Sequence, residues 1–223
     1  MPRCHLLRGP DAVGSAWPQR TARRRILVAM SDIGRCPWGD TTAGDARMTA
    51  YHDDEWGVPV RGDGELFERL ILETFQAGLS WRTILHKRDA FRAAYRGFDT
   101  ATVAAFGDAD RARLMADAGI VRNRSKVDAS IGNAAAFLAV VAEFGSFGSY
   151  LTTIVPVPAA TRGPGATMAD LPATTAVSDA LSADLRRRGF RFVGSTIVYA
   201  FMQSVGLVDD HVAGCFHHRP APG

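Results

Sequence analysis

Residues 185–196 read LRRRGFRFVGST and combine the end of a helix, a short turn bounded by two glycines and the start of a second helix. Glycine commonly follows a helix C-terminus, and the arginines before Gly189 lie where cations interact favourably with the helix dipole. The stretch therefore predicts one helix that begins with an N-cap at Ser178-Asp179 and reaches Arg188. It also predicts a final helix over roughly Ser195–Val205.

The turn between Gly189 and Gly194 has two interpretations. In a helix-hairpin-helix, the backbone N–H groups of such a turn and of the following helix N-terminus bind a DNA phosphate without needing net positive charge. Glycine-bounded turns are also common as plain connectors between helices. The stretch alone predicts two packed helices and leaves DNA binding open.

Helical periodicity extends through most of the chain after residue 62. Apolar residues recur at three- and four-residue spacing from Leu66 to Phe75, which predicts an amphipathic helix starting after Gly62-Asp63-Gly64 and ending near Ala77-Gly78. Further helices are predicted over Trp81–Tyr95, Thr100–Ala118 and Lys126–Glu143, with a proline-containing loop over Thr152–Pro172. Alternation with a period of two is scarce, so the predicted fold class is all-α, without repeats.

Composition and charge restrict the function only weakly. The chain has 223 residues, 47% of them hydrophobic and 22% charged, as soluble folded proteins do. The longest apolar run, Ala134–Ala142, is far shorter than the roughly 20 residues of a membrane span, so no membrane crossing is predicted. Residues 1–29 hold six arginines and one aspartate, which leaves 20 basic and 22 acidic side chains in residues 30–223. Bulk charge therefore does not support a nucleic-acid partner.

The first 29 residues differ from the rest because they lack apolar periodicity. They are interpreted as an extension that is disordered or not normally translated, with Met30 as the working start, or alternatively as an arginine-rich transit segment. Residues 30–223 are predicted to form a single domain. Three cysteines are too few for a disulfide scaffold, which indicates a reducing compartment and a cytoplasmic location.

Four residues from the two ends of the domain could bind a metal. His211 and Cys215 are four apart, so on a helical turn they would face the same way. Together with Cys36 and His52 they form a Cys2His2 set for tetrahedral zinc. Because protein would fill all four positions, such a zinc would be structural and not catalytic. The alternative is a buried thiol with two surface histidines.

An aromatic cluster and one glutamate are candidates for ligand binding. Three of the four tryptophans and one tyrosine fall between residues 38 and 81: Trp38, Tyr51, Trp56 and Trp81. They are either core residues or a cage for a planar and preferably cationic ligand. Glu73 follows Leu66 by seven residues and points about 20° away from that apolar stripe. It is either a solvated boundary residue or a group directed into a pocket.

These segments resemble the bacterial DNA-3-methyladenine glycosylase I family, the constitutive alkylation-repair enzymes. The matching motifs are RCPW at 35–38, YHDDEWGVP at 51–59, QAGLSW at 76–81, DAGIVR at 117–122, SDALS at 178–182, RGFRFVG at 188–194 and DHVAGC at 210–215. They occur in the family's order and cover about residues 34 to 216. The resemblance implies a helix-hairpin-helix glycosylase fold in which one structural Zn2+ per chain joins the terminal segments.

The resemblance also assigns roles to individual residues. The implied zinc ligands are Cys36, His52, His211 and Cys215. The implied base-binding pocket has Glu73 as its base-recognising glutamate and Trp38, Tyr51 and Trp81 as stacking aromatics, with Trp56 beside them. Gly78 and Leu79 would fill the gap left in the base stack, and Gly189 and Gly194 would bound the DNA-binding hairpin. One departure is Met48, which replaces a further pocket tyrosine expected three positions before Tyr51.

The implied activity is base excision repair of alkylation damage. A monomeric enzyme would hydrolyse the N-glycosidic bond of 3-methyladenine in double-stranded DNA and leave free base and an abasic site. The chain has only two lysines, Lys87 and Lys126, which offers few nucleophiles for a lyase step and predicts a monofunctional enzyme. Two other classes stay open, a zinc hydrolase with Glu73 as its base and a DNA-binding module without enzymatic activity.

Overall fold

The computed structural model describes residues 34–39, 44–156, 160–161, 163 and 165–219, so the predicted extension at 1–29 lies outside the described residues. Within the described part the chain forms nine α-helices and two short parallel strands. In chain order these are α1 (Ala46–Asp54), α2 (Asp63–Gln76), α3 (Trp81–Ala94), α4 (Thr100–Ala104), α5 (Asp108–Ala116), α6 (Arg124–Phe144), α7 (Phe147–Thr152), β1 (Ala160–Thr161), α8 (Ala176–Arg187), α9 (Ser195–Ser204) and β2 (Val208–Asp209). The predicted all-α class is confirmed as a mostly helical fold.

Helix α2 lies at the centre of the fold. It packs against α3, α6, α7 and α9, so apolar side chains on several of its faces are buried. Leu70, Ile71 and Leu72 are consecutive and all fully buried. Because successive residues point about 100° apart around a helix, this run shows that α2 is enclosed and not a surface helix with one apolar stripe. Polar residues in its second half are therefore buried as well.

Helix α6 is the longest helix in the fold. It is the one helix among the described residues that has the length and apolar composition of a membrane span, and 44% of its most apolar window is buried. It packs against α2, α4, α5 and α7, with Asn123 as its N-cap and Gly145 in the left-handed region at its C-cap. These contacts make α6 a core helix of the domain.

The single helix predicted over Thr100–Ala118 is wrong, because the chain forms the two shorter helices α4 and α5. Phe106, between them, is buried in the core, and the break lets its ring turn inward. Asp99 caps α4 through the N–H of Thr102, and Asp110 accepts a hydrogen bond from the N–H of Gly107 at the start of α5. Local capping and one buried ring therefore override the continuous helical pattern.

Two other boundaries differ from the predictions. Helix α8 begins after Thr175, whose hydroxyl accepts from the Ser178 N–H while the Ser178 hydroxyl accepts from the Thr175 N–H, so Ser178 lies inside the helix. The predicted loop over Thr152–Pro172 contains β1, which pairs with β2 near the C-terminus. Helix α1 was not predicted, because its sequence is strongly polar and has no periodic apolar pattern.

Candidate functional site

A cavity of about 350 Å³ opens between α1, α2, α3 and α9. Its volume lies at the lower end of the range for small-molecule sites. The predicted ligand-binding residues all line it, namely Trp38, Tyr51, Trp56, Glu73 and Trp81. Met48, which departs from the family pattern, lies in the same wall, as do Gln76 and Gln203. Gln76 belongs to the QAGLSW motif at 76–81, whereas Gln203 carries no sequence signal that would have placed it there.

The aromatic side chains form inclined walls around the cavity. The rings of Trp38 and Trp56 meet edge to face with centroids 4.9 Å apart, and those of Tyr51 and Trp81 are tilted by 43° at 5.0 Å. Trp38 and Tyr51 are 6.2 Å apart. Since none of these pairs is stacked face to face, ring faces stay available to a planar ligand. Such faces also attract a cation through the negative potential of the ring.

Glu73 is the acidic residue that lines this cavity. Its side chain is 2% exposed, and its Oε2 has no hydrogen-bond partner among the described residues. Burial raises the pKa of Glu73 to about 8, against the opposing effect of the Arg69 guanidinium. Arg69 itself forms ion pairs with Glu55 and Glu65. The interpretation of Glu73 as a solvated boundary residue is therefore wrong, because the carboxyl is buried at the cavity with an acceptor atom free.

A second cluster contains three of the four predicted metal ligands. Donor atoms of Cys36, His52 and Cys215 all lie within 4.8 Å of one another, a spacing that could hold a metal ion. The Cys215 Sγ is 3.4 Å from the His52 Nε2. A hydrogen bond from the Cys36 thiol holds the pKa of Cys215 well below its ordinary value. The cluster thus offers a thiolate and an imidazole nitrogen, which are ligands that zinc prefers.

His211 lies next to this cluster, with its ring centroid 5.3 Å from that of His52. Its Nδ1 is 2.8 Å from the Asp209 carboxylate, and its Nε2 is buried without a partner in the described residues. His52 likewise has its Nδ1 2.8 Å from Asp53. A carboxylate on Nδ1 that leaves Nε2 for an ion is typical of metal-binding histidines. The four predicted residues therefore fit a zinc ion by their donor chemistry.

The cluster joins the two ends of the described chain, and His211 and Cys215 do not lie on a helical turn. The chain is irregular there and turns at Gly214, which has a φ of 85°. The Phe216 N–H donates to the Gly34 carbonyl, and a Cβ on Gly34 would lie 2.1 Å from the Gly214 oxygen. Because only glycine permits this approach, the terminal segments are closely packed at the cluster.

The turn between α2 and α3 projects beside the cavity. Gly78 has a φ of 77°, and Leu79 is 42% exposed, which is unusual for a large apolar side chain. Lys126 from α6 stabilises this turn, because its buried Nζ donates to the carbonyls of Phe75 (2.8 Å) and Ala77 (2.5 Å). The second lysine, Lys87, donates to the carbonyls of Ala118 and Gly119.

The predicted turn between α8 and α9 is present, and the two helices pack against each other. Gly189 has a φ of 91°, and Gly194 is the N-cap of α9. Asn133 from α6 holds the turn with both ends of its amide. It accepts from the Arg191 N–H at 2.8 Å and donates to the Arg191 carbonyl at 3.0 Å. The turn therefore has a fixed shape.

Comparisons with known proteins match the chain to one family. The methyladenine glycosylase family model matches residues 40–218. DNA-3-methyladenine glycosylase 1 of Escherichia coli (strain K12) is 47% identical over 182 residues, which cover 81% of this chain and 95% of that protein. A crystal structure of a 3-methyladenine DNA glycosylase I is 43% identical, with a TM-score of 0.78 over 83% of this chain and 100% of that chain.

A further solved structure concerns 3-methyladenine recognition by the enzyme from Staphylococcus aureus. It is 31% identical, with a TM-score of 0.78, and covers 86% of this chain and 100% of that chain. The mostly helical fold is thus shared with solved structures of 3-methyladenine DNA glycosylase I. The chain belongs to the methyladenine glycosylase family, whose members are hydrolases that act on N-glycosyl bonds.

Proposed function

We propose that this protein hydrolyses the N-glycosidic bond of 3-methyladenine in double-stranded DNA, which releases the free base and leaves an abasic site. The observation that carries the proposal is the buried carboxyl of Glu73, which lies at an aromatic cavity and has an oxygen without a hydrogen-bond partner among the described residues. The names of the similar proteins support the same substrate. The target nucleotide would leave the base stack and enter the cavity, at a cost of a few kcal/mol.

Recognition of a cationic base would be the main task of the cavity. Methylation at N3 gives adenine a positive charge and makes it a good leaving group, so less acid catalysis is needed than for a normal purine. Trp38, Tyr51 and Trp81 would hold the ring by stacking and cation–π attraction, worth about 0.5–2 kcal/mol per contact. Trp56 would support Trp38 from the side. Glu73, once ionised, would accept a hydrogen bond from the exocyclic amine.

Two turns would contact DNA around the cavity. Leu79, exposed beside Gly78, would fill the space that the displaced nucleotide leaves in the stack. The turn from Gly189 to Gly194 would act as a helix-hairpin-helix, with backbone N–H groups and the α9 N-terminus contacting a phosphate. Such contacts need no net positive charge, which is consistent with the acidic balance of residues 30–223.

The hydrogen bonds of the two lysines, Lys87 and Lys126, support a monofunctional mechanism. A lyase step needs a free amine to attack the sugar, and the chain's two lysines both donate to backbone carbonyls. Moving either lysine would leave those carbonyls without their hydrogen bonds. The abasic site would therefore be the final product.

Zinc would be held by Cys36, His52, His211 and Cys215 and would supply structural stability. Four protein donors leave no position for water, so the zinc hydrolase alternative is disfavoured. The ion would fix the contact between the segments around Gly34 and Gly214. We further propose that residues 30–223 form one glycosylase domain, that residues 1–29 are a separate extension, and that the protein is monomeric and cytoplasmic.

The test is release of free base from methylated duplex DNA by the wild-type protein, Glu73→Ala and Glu73→Gln. Glu65→Gln is the matched control, because Glu65 lies on the same helix with its side chain 53% exposed. The proposal expects release of 3-methyladenine with little 7-methylguanine, strongly reduced in both Glu73 variants and unchanged in the control. Duplex binding without release by folded, zinc-loaded wild type would instead support a DNA-binding module.

A further inference from the structure

Gln203, in the last turn of α9, lines the cavity together with Glu73. Its Nε2 donates to the Asp210 Oδ2 at 2.7 Å. Asp210 is 1% exposed and also accepts a hydrogen bond of 2.6 Å from the Tyr199 hydroxyl. A cavity residue is thus connected to a buried carboxylate outside the cavity.

This carboxylate fixes the orientation of the Gln203 amide. The Asp210 Oδ2 accepts from the Gln203 Nε2 as well as from the Tyr199 hydroxyl, so the amide presents its NH2 group to Asp210. The acceptor Oε1 is then the remaining polar atom of the side chain, and no described residue donates to it. The backbone is held as well, because the Gly57 N–H donates to the Gln203 carbonyl at 3.0 Å.

The other cavity glutamine differs in this respect. Gln76 lies at the end of α2, and its side chain makes no hydrogen bond to any residue in the described part of the chain. Its amide can therefore present either its donor or its acceptor. Of the two glutamines, only Gln203 has a buried hydrogen-bond partner that fixes the position of its amide oxygen.

We infer that Gln203 is a specificity-determining residue that reads the exocyclic amine of the base together with Glu73. The inference rests on the proposed function and extends it to a second acceptor. An exocyclic amine has two N–H groups, which the Glu73 carboxylate and the Gln203 Oε1 would accept. A purine with a carbonyl in that place would bring a further acceptor against ionised Glu73 and the Gln203 Oε1, neither of which can donate to it, and a buried site rejects such unpaired acceptors strongly.

The test compares two free bases that differ only in the amine. Calorimetric titration gives dissociation constants for 3-methyladenine and for 3-methylpurine, which lacks the exocyclic amine. Gln203→Met keeps the length of the side chain but removes the acceptor. The wild type is expected to prefer 3-methyladenine, and Gln203→Met should lower this preference about threefold to tenfold, as expected for one lost hydrogen bond. Its affinity for 3-methylpurine should change less than twofold.

Two further variants separate recognition from packing. Gln76→Met is expected to keep the wild-type preference. Asp210→Asn offers the amide both a donor and an acceptor, so Gln203 can turn over and the preference should fall while circular dichroism shows a folded protein. An unchanged preference in Gln203→Met, an equal loss for both bases, or the same fall in Gln76→Met would overturn the inference.

Base release from methylated duplex is measured on the same wild-type preparation. Absence of release would refute the proposed function and with it the role of Gln203. Release by the wild type, combined with an unchanged preference in Gln203→Met, would refute the role of Gln203 alone.

Discussion

Replacement of Glu73 by glutamine should stabilise the protein, by an amount that grows with pH. Burial raises the pKa of Glu73 from its ordinary value of 4.5 to about 8 in the folded state. An acid with a raised folded pKa leaves stability intact below its unfolded pKa and lowers it as pH rises towards the folded pKa. Glutamine has nearly the same size and no charge, so it removes this effect.

The magnitude follows from the two pKa values. Each unit of difference corresponds to about 1.4 kcal/mol once the pH exceeds both values. Ionisation of Glu73 should therefore lower the free energy of unfolding by about 1 kcal/mol at pH 5, about 3 kcal/mol at pH 7 and between about 4 and 5 kcal/mol above pH 9. For a domain of this size, about 1 kcal/mol shifts Tm by roughly 2–4 °C.

Urea unfolding from pH 4.5 to 9 of wild type, Glu73→Gln and Glu65→Gln tests this reasoning. The Glu73→Gln curve should lie above the wild type by a margin that rises with pH, while the Glu65→Gln curve shows no such trend because that side chain is 53% exposed. A margin that is constant across this pH range would refute the idea that Glu73 is buried as an isolated acid. The same substitution should abolish most base release, as is common when a destabilising group serves function.

Three other perturbations address the supporting elements. Lys126→Met should remove the hydrogen bonds to the carbonyls of Phe75 and Ala77 and lower stability by about 1–3 kcal/mol. It should slow release from duplex while affinity for free 3-methyladenine, measured by calorimetry, stays within twofold; equal losses would show a general defect. Asn133→Ala should loosen the turn at Arg191 and weaken duplex binding about tenfold in a fluorescence anisotropy assay, with free-base binding as the control. Removal of metal with a chelator should lower Tm and added zinc should restore it, whereas an unchanged Tm would argue against a structural ion at His211.

The sequence predicts the parts of this fold that depend on local patterns. The apolar spacing from Leu66 to Phe75 gives α2, and Ser80 acts as the N-cap of α3 through the N–H of Thr83, next to its predicted start at Trp81. The break at Phe106 and the unpredicted α1 depend on tertiary contacts, since one buried ring and a largely polar helix leave little periodic signal.

The candidate site also contains residues that the sequence identifies and residues whose roles depend on tertiary contacts. Tryptophan, cysteine and histidine are rare enough for their clustering to identify candidate residues. Spacing leaves a core or a cage, and a buried thiol or a metal set, as open alternatives, and only the family resemblance assigns their roles. Spacing alone favours a solvated Glu73, and only the enclosure of α2 by α3, α6 and α9 makes it a buried acid. Lys126 and Gln203 carry no signal at all, because their roles arise from a carbonyl pair and a carboxylate that are distant in sequence.

The electrostatics of the cavity relate two effects of Glu73, the lower stability of the folded protein and the proposed selectivity for a cationic base. Burial raises the pKa of Glu73 to about 8, and no described residue donates a hydrogen bond to its Oε2. A neutral adenine would leave a buried charge uncompensated or meet a protonated acid, which accepts from the amine more weakly than a carboxylate does. A cationic base compensates the charge, lowers the pKa of Glu73 and restores its acceptor. Binding is then most favourable for the base whose methylation has already weakened the glycosidic bond. The carboxyl that destabilises the free protein therefore selects the damaged base.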